Sequence, residues 1–169
     1  VYFTILDADD QLSPDSMSKR ISALQADQAD LCIGSFEVCY QGIVQSVRSI
    51  EKYAARNRKY LKRHLLSTII SPIHQNTMLF SKRLLQRTGP MDPRMIRGQD
   101  KDFAIRLIKN CNTLTYVEEP VYCYYRYDRP LKKRITNRLI GMRYKLEVIY
   151  RYADSWRKGI YFLWGMAVE

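Results

Sequence analysis

Two acidic clusters are the residues best equipped for chemistry. The first is Asp7-Ala8-Asp9-Asp10, directly after the apolar run Val1-Tyr2-Phe3-Thr4-Ile5-Leu6. Three carboxylates so close in the chain repel one another unless a cation sits among them. Oxygen ligands suit hard divalent ions, so Mg2+ or Mn2+ is the natural occupant, and such ions keep positions open for phosphate oxygens. A plainer account is a solvated Asp-rich turn in which Asp10 helps a helix to start. A calcium loop would need Gly at its sixth position and Glu at its twelfth, and Leu12 and Met17 to Lys19 supply neither. The second cluster is Gly98-Gln99-Asp100-Lys101-Asp102, at the head of an apolar repeat of Phe103, Ile105, Leu107 and Ile108. A helix N-terminus fixes a carboxylate and stabilises its charge, and Gly98 lets the backbone turn into the helix. Within reach of a substrate hydroxyl, such a carboxylate can take the proton as the oxygen attacks. Ordinary first-turn helix residues would look the same in isolation.

These clusters need elements to hold them. Val1–Leu6 reads as a strand buried on both faces of a mainly parallel sheet. Ser13 and Pro14 read as an N-cap and first-turn pair, with Asp15 in the first turn of a helix whose Met17, Ile21 and Leu24 share a face. From Asp30 the pattern Leu31, Ile33, then Phe36, Val38 and Tyr40 alternating predicts a half-buried strand, and Gln41-Gly42 a turn into a second extended stretch. Ile50 to Ser67 reads as a basic amphipathic helix, Thr77 to Phe80 as a short strand, and Lys82 to Arg87 as a short helix. Gln99 to Ile108 is a further helix. Thr113 to Val117 and Val121 to Tyr127 read as two strands broken by Glu118-Glu119-Pro120, and Leu131 to Val168 as one or two basic amphipathic helices.

Charge placement narrows the function classes more than the net +11 does. Between Val1 and Leu31 six Asp face two cations, whereas between Val47 and Leu66 seven Lys and Arg face one Glu, and from Arg126 onward eleven face four acids. No nucleic-acid motif is present, and the acidic cluster sits where a phosphate backbone would be repelled, so no nucleic-acid partner is expected. Cys32, Cys39, Cys111 and Cys123 have no metal-site spacing and read as reduced core thiols. His64 and His74 have no partner at ligand spacing and read as structural. The apolar run Gly159 to Val168 falls well short of the ~20 residues a membrane helix needs.

The stretch Ile5-Leu6-Asp7-Ala8-Asp9-Asp10-Gln11-Leu12-Ser13-Pro14-Asp15 resembles the DxD region of family 2 glycosyltransferases. A haloacid-dehalogenase phosphatase also places Asp after an apolar strand, but Gln11 departs from its pattern. The segment Gly89-Pro90-Met91-Asp92 through Gly98-Gln99-Asp100-Lys101-Asp102-Phe103 resembles the same transferases' Gly-Glu-Asp-x-Asp region, with Gln99 in place of Glu. Glu119-Pro120-Val121-Tyr122-Cys123-Tyr124-Tyr125-Arg126-Tyr127-Asp128 resembles their closing strand, with Asp128 where many relatives carry His.

The resemblance implies an α/β fold of the GT-A type, Rossmann-like, with a mixed, mainly parallel sheet flanked by helices. It covers residues 1–128 as a partial catalytic domain, leaving residues 129–169 as a basic amphipathic helical extension. It implies single displacement with inversion from a nucleotide-sugar donor, a UDP-sugar, to a glycan or lipid-linked acceptor, in cell-surface polysaccharide or glycolipid synthesis. Asp100 is then the catalytic base. Asp9 holds Mn2+ or Mg2+, with Asp7 and Asp128 as further candidates for the metal. Asp7, Asp10, Gln99, Asp102 and Arg126 contact donor or acceptor, and the amide of Gln99 can position a hydroxyl. A cytoplasmic protein is expected, peripheral at the inner membrane face, with the basic helices lying on anionic lipid. The chain opens inside a strand with no cap before it, so a nucleotide-binding part is expected ahead of Val1, and the chain alone is expected to be inactive. The rivals are a non-enzymatic basic module binding nucleic acid or an anionic membrane surface, and an inactive transferase fragment.

Overall fold

The structure is a computed structural model that describes residues 1–49, 58–67, 73–128 and 130–153. The expected helix at 50–57, the tail at 154–169 and the side chain of His64 lie outside the described residues. The strands are β1 (Tyr2–Thr4), β2 (Gln11–Leu12), β3 (Leu31–Tyr40), β4 (Ile43–Arg48), β5 (Met78–Ser81) and β6 (Leu114–Arg126). The helices are α1 (Ser16–Ala26), α2 (Arg58–Ser67), α3 (Lys82–Thr88), α4 (Gln99–Asn110) and α5 (Leu131–Tyr152), and a 3-10 turn spans Gln75–Thr77.

One sheet runs in the order β1-β5-β3-β6-β2, with β4 also paired to β3. Its alternation builds two cores. Leu31, Ile33, Met78 and Phe80 point to one face, against Leu61 and Leu65 of α2, Leu84 of α3, Phe103 and Leu107 of α4, and Val148 and Ile149 of α5. Cys32, Leu79, Phe36 and Val38 point to the other, with Leu24 of α1 and Val121 and Tyr122 of β6. The period of two along a strand makes this division possible, because neighbouring residues face opposite sides.

The α/β class is as the sequence implies, and several details differ. Among the described residues only β3 and β6 run parallel, and the other ladders are antiparallel. Among the described residues β1 pairs only with β5 and lies at the sheet edge, half-buried, where a strand buried on both faces was expected. Helix α1 starts at Ser16 behind Asp15, which has a left-handed φ of 58°, and the Ser13 carbonyl accepts the Ser16 N–H at 3.1 Å. Ser13 and Pro14 therefore form a turn ahead of the helix rather than its cap.

β6 is one strand, with no break at Glu118-Glu119-Pro120. Its register against β3 shifts around Ser35, which pairs with Pro120, so an irregularity absorbs the residue that cannot donate to a ladder. Gly34 sits at this crossing. A Cβ there would lie 2.4 Å from Val121 Cγ1, a separation no side chain tolerates.

The cysteines also divide. Cys32 and Cys111 are free and buried, and burial pushes their thiols up to about 12 and about 11. Cys39 and Cys123 form a disulfide, contrary to the expectation of four reduced thiols. The parallel pairing of β3 with β6 brings these two residues, 84 apart in the chain, to a Cα separation of 6.3 Å.

Candidate active site

The acidic loop leaves the carboxyl end of β1 and is pinned on its far side by β2. Gln11 and Leu12 pair with Cys123 and Tyr122, and the Asp10 N–H donates to the Asp7 carbonyl at 3.1 Å. Asp7 accepts from Gln75 Nε2 at 3.1 Å and from Asn76 Nδ2 at 3.3 Å. Asp10 accepts from Asn76 Nδ2 at 2.8 Å and from the Tyr125 N–H at 3.2 Å. Burial raises the Asp10 carboxyl above its ordinary range, the charges of Asp9 and Asp7 add to this, and the Tyr125 and Asn76 hydrogen bonds oppose it. Asp9 differs from both neighbours: it is exposed and makes no hydrogen bond or ion pair among the described residues.

The second cluster opens α4. Gly98 is the N-cap, with a left-handed φ of 76° that glycine adopts without steric cost, and Asp100 and Asp102 occupy the first turn. Gln99 and Asp100 are partly exposed, and Asp100 makes no hydrogen bond or ion pair among the described residues. Lys101 lies beside it. Burial pulls its ammonium down to about 8, Lys145 of α5 adds to the lowering, and Asp100 opposes it.

Asp102 faces elsewhere. Only 1% exposed, it accepts from Arg106 Nε at 2.8 Å and from the Tyr152 hydroxyl at 2.6 Å, with Arg151 at 3.5 Å. These contacts tie the end of α5 to the start of α4. With both oxygens engaged in the packing, Asp102 anchors the helix carrying Asp100 and presents no free oxygen to a ligand. Tyr144 and Val148 of α5 also close over Gly98, where a Cβ would meet them at 3.6 and 3.7 Å.

The charges of both clusters reach Tyr122. Its phenol is fully buried and held well above its ordinary range, by burial first and then by the negative charges of Asp10, Asp7 and Asp100 among its neighbours. The turn Gln75–Thr77 bridges the same region, packing against β1, β3, β6 and α4. His74 precedes it in a ring stack, 6.0 Å from Tyr122 and 6.1 Å from Tyr124, which agrees with a structural role. Sequence reasoning missed Gln75, Asn76 and Tyr122. Neutral amides and a strand tyrosine carry no motif, and only the fold brings them to the acidic loop.

The sequence model of glycosyl transferase family 2 matches residues 1–89, more than half of the chain. The chain belongs to that family. No curated protein matches it. Among solved structures, it is similar to S. aureus TarS 1–349 in complex with UDP-GlcNAc, with a TM-score of 0.59 and 12% identity over 95% of this chain and 46% of that one. The same TarS portion in complex with UDP gives a TM-score of 0.57 at 12% identity, covering 95% of this chain and 44% of that one. A longer S. aureus TarS structure gives 0.56 at 17% identity, covering 96% of this chain and 28% of that one. The chain thus spans less than half the length of these structures, and the likeness is one of fold, that of the GT-A glycosyltransferases.

In this family 2 chain, the remaining expected residues lie at the far end of β6. Arg126 is exposed and paired in register with Tyr40. Asp128 accepts from the Tyr40 hydroxyl at 2.7 Å, and among the described residues no hydrogen bond or ion pair joins it to the acidic loop. The sole trio of potential ligand atoms gathered within 4.8 Å among the described residues is Glu37, Cys39 and Cys123, whose two sulfurs are bonded to each other. The acidic loop is therefore no closed metal cage. It offers one open carboxylate, Asp9, beside two that are held. That donor set fits Mg2+ or Mn2+, which binds through one or two carboxylates and completes its shell with water and substrate phosphates.

Proposed function

We propose that this chain carries the acidic machinery of an inverting, metal-dependent glycosyltransferase. The observation that supports it best is that the charges of Asp7, Asp10 and Asp100, from two acidic stations lying far apart in the sequence, all act on the buried Tyr122 phenol, while the turn Gln75–Thr77 packs against both β1 and α4. Family membership supports the reaction class. A UDP-sugar is the proposed donor, in line with the UDP-GlcNAc and UDP complexes of TarS. The proposed acceptor is a glycan or lipid-linked hydroxyl, in cell-surface polysaccharide or glycolipid synthesis.

In the step, the acceptor oxygen bonds to the anomeric carbon as the bond from that carbon to the diphosphate oxygen breaks. Its proton passes to Asp100, and the nucleoside diphosphate leaves with the electron pair. Asp100 suits this role because it is partly exposed, uncommitted and set at a helix N-terminus. Gln99 can hold the hydroxyl by hydrogen bonding. Asp9 would hold Mn2+ or Mg2+, with Asp7 next to it, and the ion would offset the charge on the departing diphosphate. Asp10 borders the sugar, and Arg126 supports the loop or the diphosphate. We place the protein in the cytoplasm, peripheral at the inner membrane face, on the strength of its net charge of +11 and its basic C-terminal segment.

The test uses the full-length protein with Mn2+ and a panel of UDP-sugars. Asp9→Ala abolishes metal-dependent UDP binding. Asp100→Asn keeps UDP affinity and lowers turnover by about 10²–10⁴-fold, the usual contribution of a general base. Equal loss of UDP affinity in both variants overturns the assignment of roles. Salt-dependent retention on DNA, indifferent to UDP-sugars, establishes the basic binding module instead.

A further inference from the structure

Asn76 has no part in the reaction as drawn, yet it is 0% exposed and sits in the 3-10 turn against the acidic loop. Its amide nitrogen donates to Asp10 Oδ2 at 2.8 Å and to Asp7 Oδ2 at 3.3 Å, so one NH2 group bridges both carboxylates. The other oxygen of each is held as well, Asp7 Oδ1 by Gln75 and Asp10 Oδ1 by the Tyr125 N–H. The amide orientation is dictated by this network, since the flipped form would set its oxygen against two anions. Its Oδ1 is buried and has no hydrogen-bond partner among the described residues. An asparagine kept only to satisfy the core would have both ends paired. Here only the donor end is engaged, and both times with the loop.

We infer that Asn76 is a positioning residue for the transfer, acting through Asp7 and Asp10. Two like-charged carboxylates spread apart when nothing lies between them. The bridging amide holds them together without neutralising either, and the loop between them then presents Asp9 outward as its open carboxylate. This rests on the role proposed above for Asp9 in holding the divalent ion.

The experiment measures Mn2+ binding to the full-length protein at saturating UDP, by the electron paramagnetic resonance signal of the free ion, beside a thermal melt of each variant. Asn76→Ala raises the half-saturating Mn2+ concentration about tenfold, the usual effect of losing a group that orients a metal ligand. Asn76→Asp, which sets a third anion against the pair, raises it at least as far. In an Asp10→Asn background, where the repulsion is gone, Asn76→Ala adds less than about twofold, because the two changes act on one contact. Asn76→Ser, smaller and still a donor, replaces Asn76→Ala if the alanine variant misfolds. A folded variant with a lowered melting temperature and wild-type Mn2+ binding would leave Asn76 with a structural role only and overturn the inference. Wild-type Mn2+ binding by Asp9→Ala identifies the other failure, that of the metal role on which the inference rests.

Discussion

Asp102→Ala tests the idea that α5 is fastened to the helix carrying Asp100 by one buried carboxylate. The side chain is 1% exposed and takes Arg106 at 2.8 Å, Tyr152 at 2.6 Å and Arg151 at 3.5 Å. Removing one partner of a buried ion pair costs about 3–5 kcal/mol, chiefly by stranding the opposite charge. Arg106 would not be fully stranded, because its Nη1 also donates to the Thr88 and Pro90 carbonyls at 2.9 Å. Arg151 keeps Asp92 at 3.0 Å and Glu147 at 2.5 Å. Those fallback partners favour the lower end, about 3 kcal/mol. For a domain of this size, that lowers the melting temperature by about 6–12 °C. Tyr152→Phe deletes one hydrogen bond to a charged acceptor and costs about 1.5–3 kcal/mol. The double variant falls short of the sum by about 1 kcal/mol or more, since both changes remove the same contact. Urea and thermal unfolding followed by circular dichroism supply the four corners of the cycle. A loss below about 1 kcal/mol for Asp102→Ala, or strict additivity with Tyr152→Phe, would refute the reasoning and return Asp102 to the candidates for ligand contact.

Gly34→Ala overpacks the contact with Val121 and costs about 1–3 kcal/mol by chemical denaturation, and Val121→Ala introduced beside it recovers part of the loss. Lys101 has a folded-state pKa of about 8 against an ordinary 10.5, so the unfolded chain binds more protons between those values and stability rises with pH across that window. Lys101→Met flattens this rise, as pH-resolved melts would read. Chelation with EDTA abolishes UDP binding by the full-length protein, and Mn2+ or Mg2+ restores it; binding that survives EDTA argues against a metal at Asp9.

What the sequence disclosed follows from how local each signal is. The pattern from Leu31 to Tyr40 marks the extent of β3, though the strand is buried on both faces rather than half-buried because a core covers each side, and the Gln41-Gly42 turn leads into β4 as expected. Helix α4 runs from Gln99 as its apolar repeat and glycine start imply. Errors arose where a neighbour distant in sequence decides the outcome. The apolar run at the start reads as fully buried, but burial depends on which strands flank it, and β1 has one. Pro120 reads as a strand breaker, but the register shift around Ser35 accommodates it. Cys39 and Cys123 bear no recognisable spacing, because their bond depends on β3 lying beside β6. Asp102 reads as part of the site because it falls in the Gly-Gln-Asp-Lys-Asp segment that resembles the transferases' Gly-Glu-Asp-x-Asp region. On a helix, residues two apart face different directions, and that offset turns Asp102 into the packing with α5.

The partners chosen for each carboxylate carry the remaining argument. A chain with 28 Lys and Arg has cations enough to pair every acidic group. Asp102 is paired in that way, with Arg106 and Arg151, and its charge is offset inside the core. Asp7 and Asp10 are not. Their oxygens are held by two amide side chains and a backbone N–H, all neutral, and no ion pair reaches the loop among the described residues. Neutral donors fix geometry while leaving the negative field intact, whereas an arginine would fix geometry and cancel it. For structural turns the second arrangement is the more stable one, because the like charges of Asp7, Asp9 and Asp10 remain uncompensated in the first. Retaining that repulsion in a protein otherwise rich in cations makes sense where the compensating charge arrives with the ligand. Under the function proposed above, the loop receives a divalent cation together with the donor, and the partially exposed, uncommitted Asp100 takes the acceptor's proton.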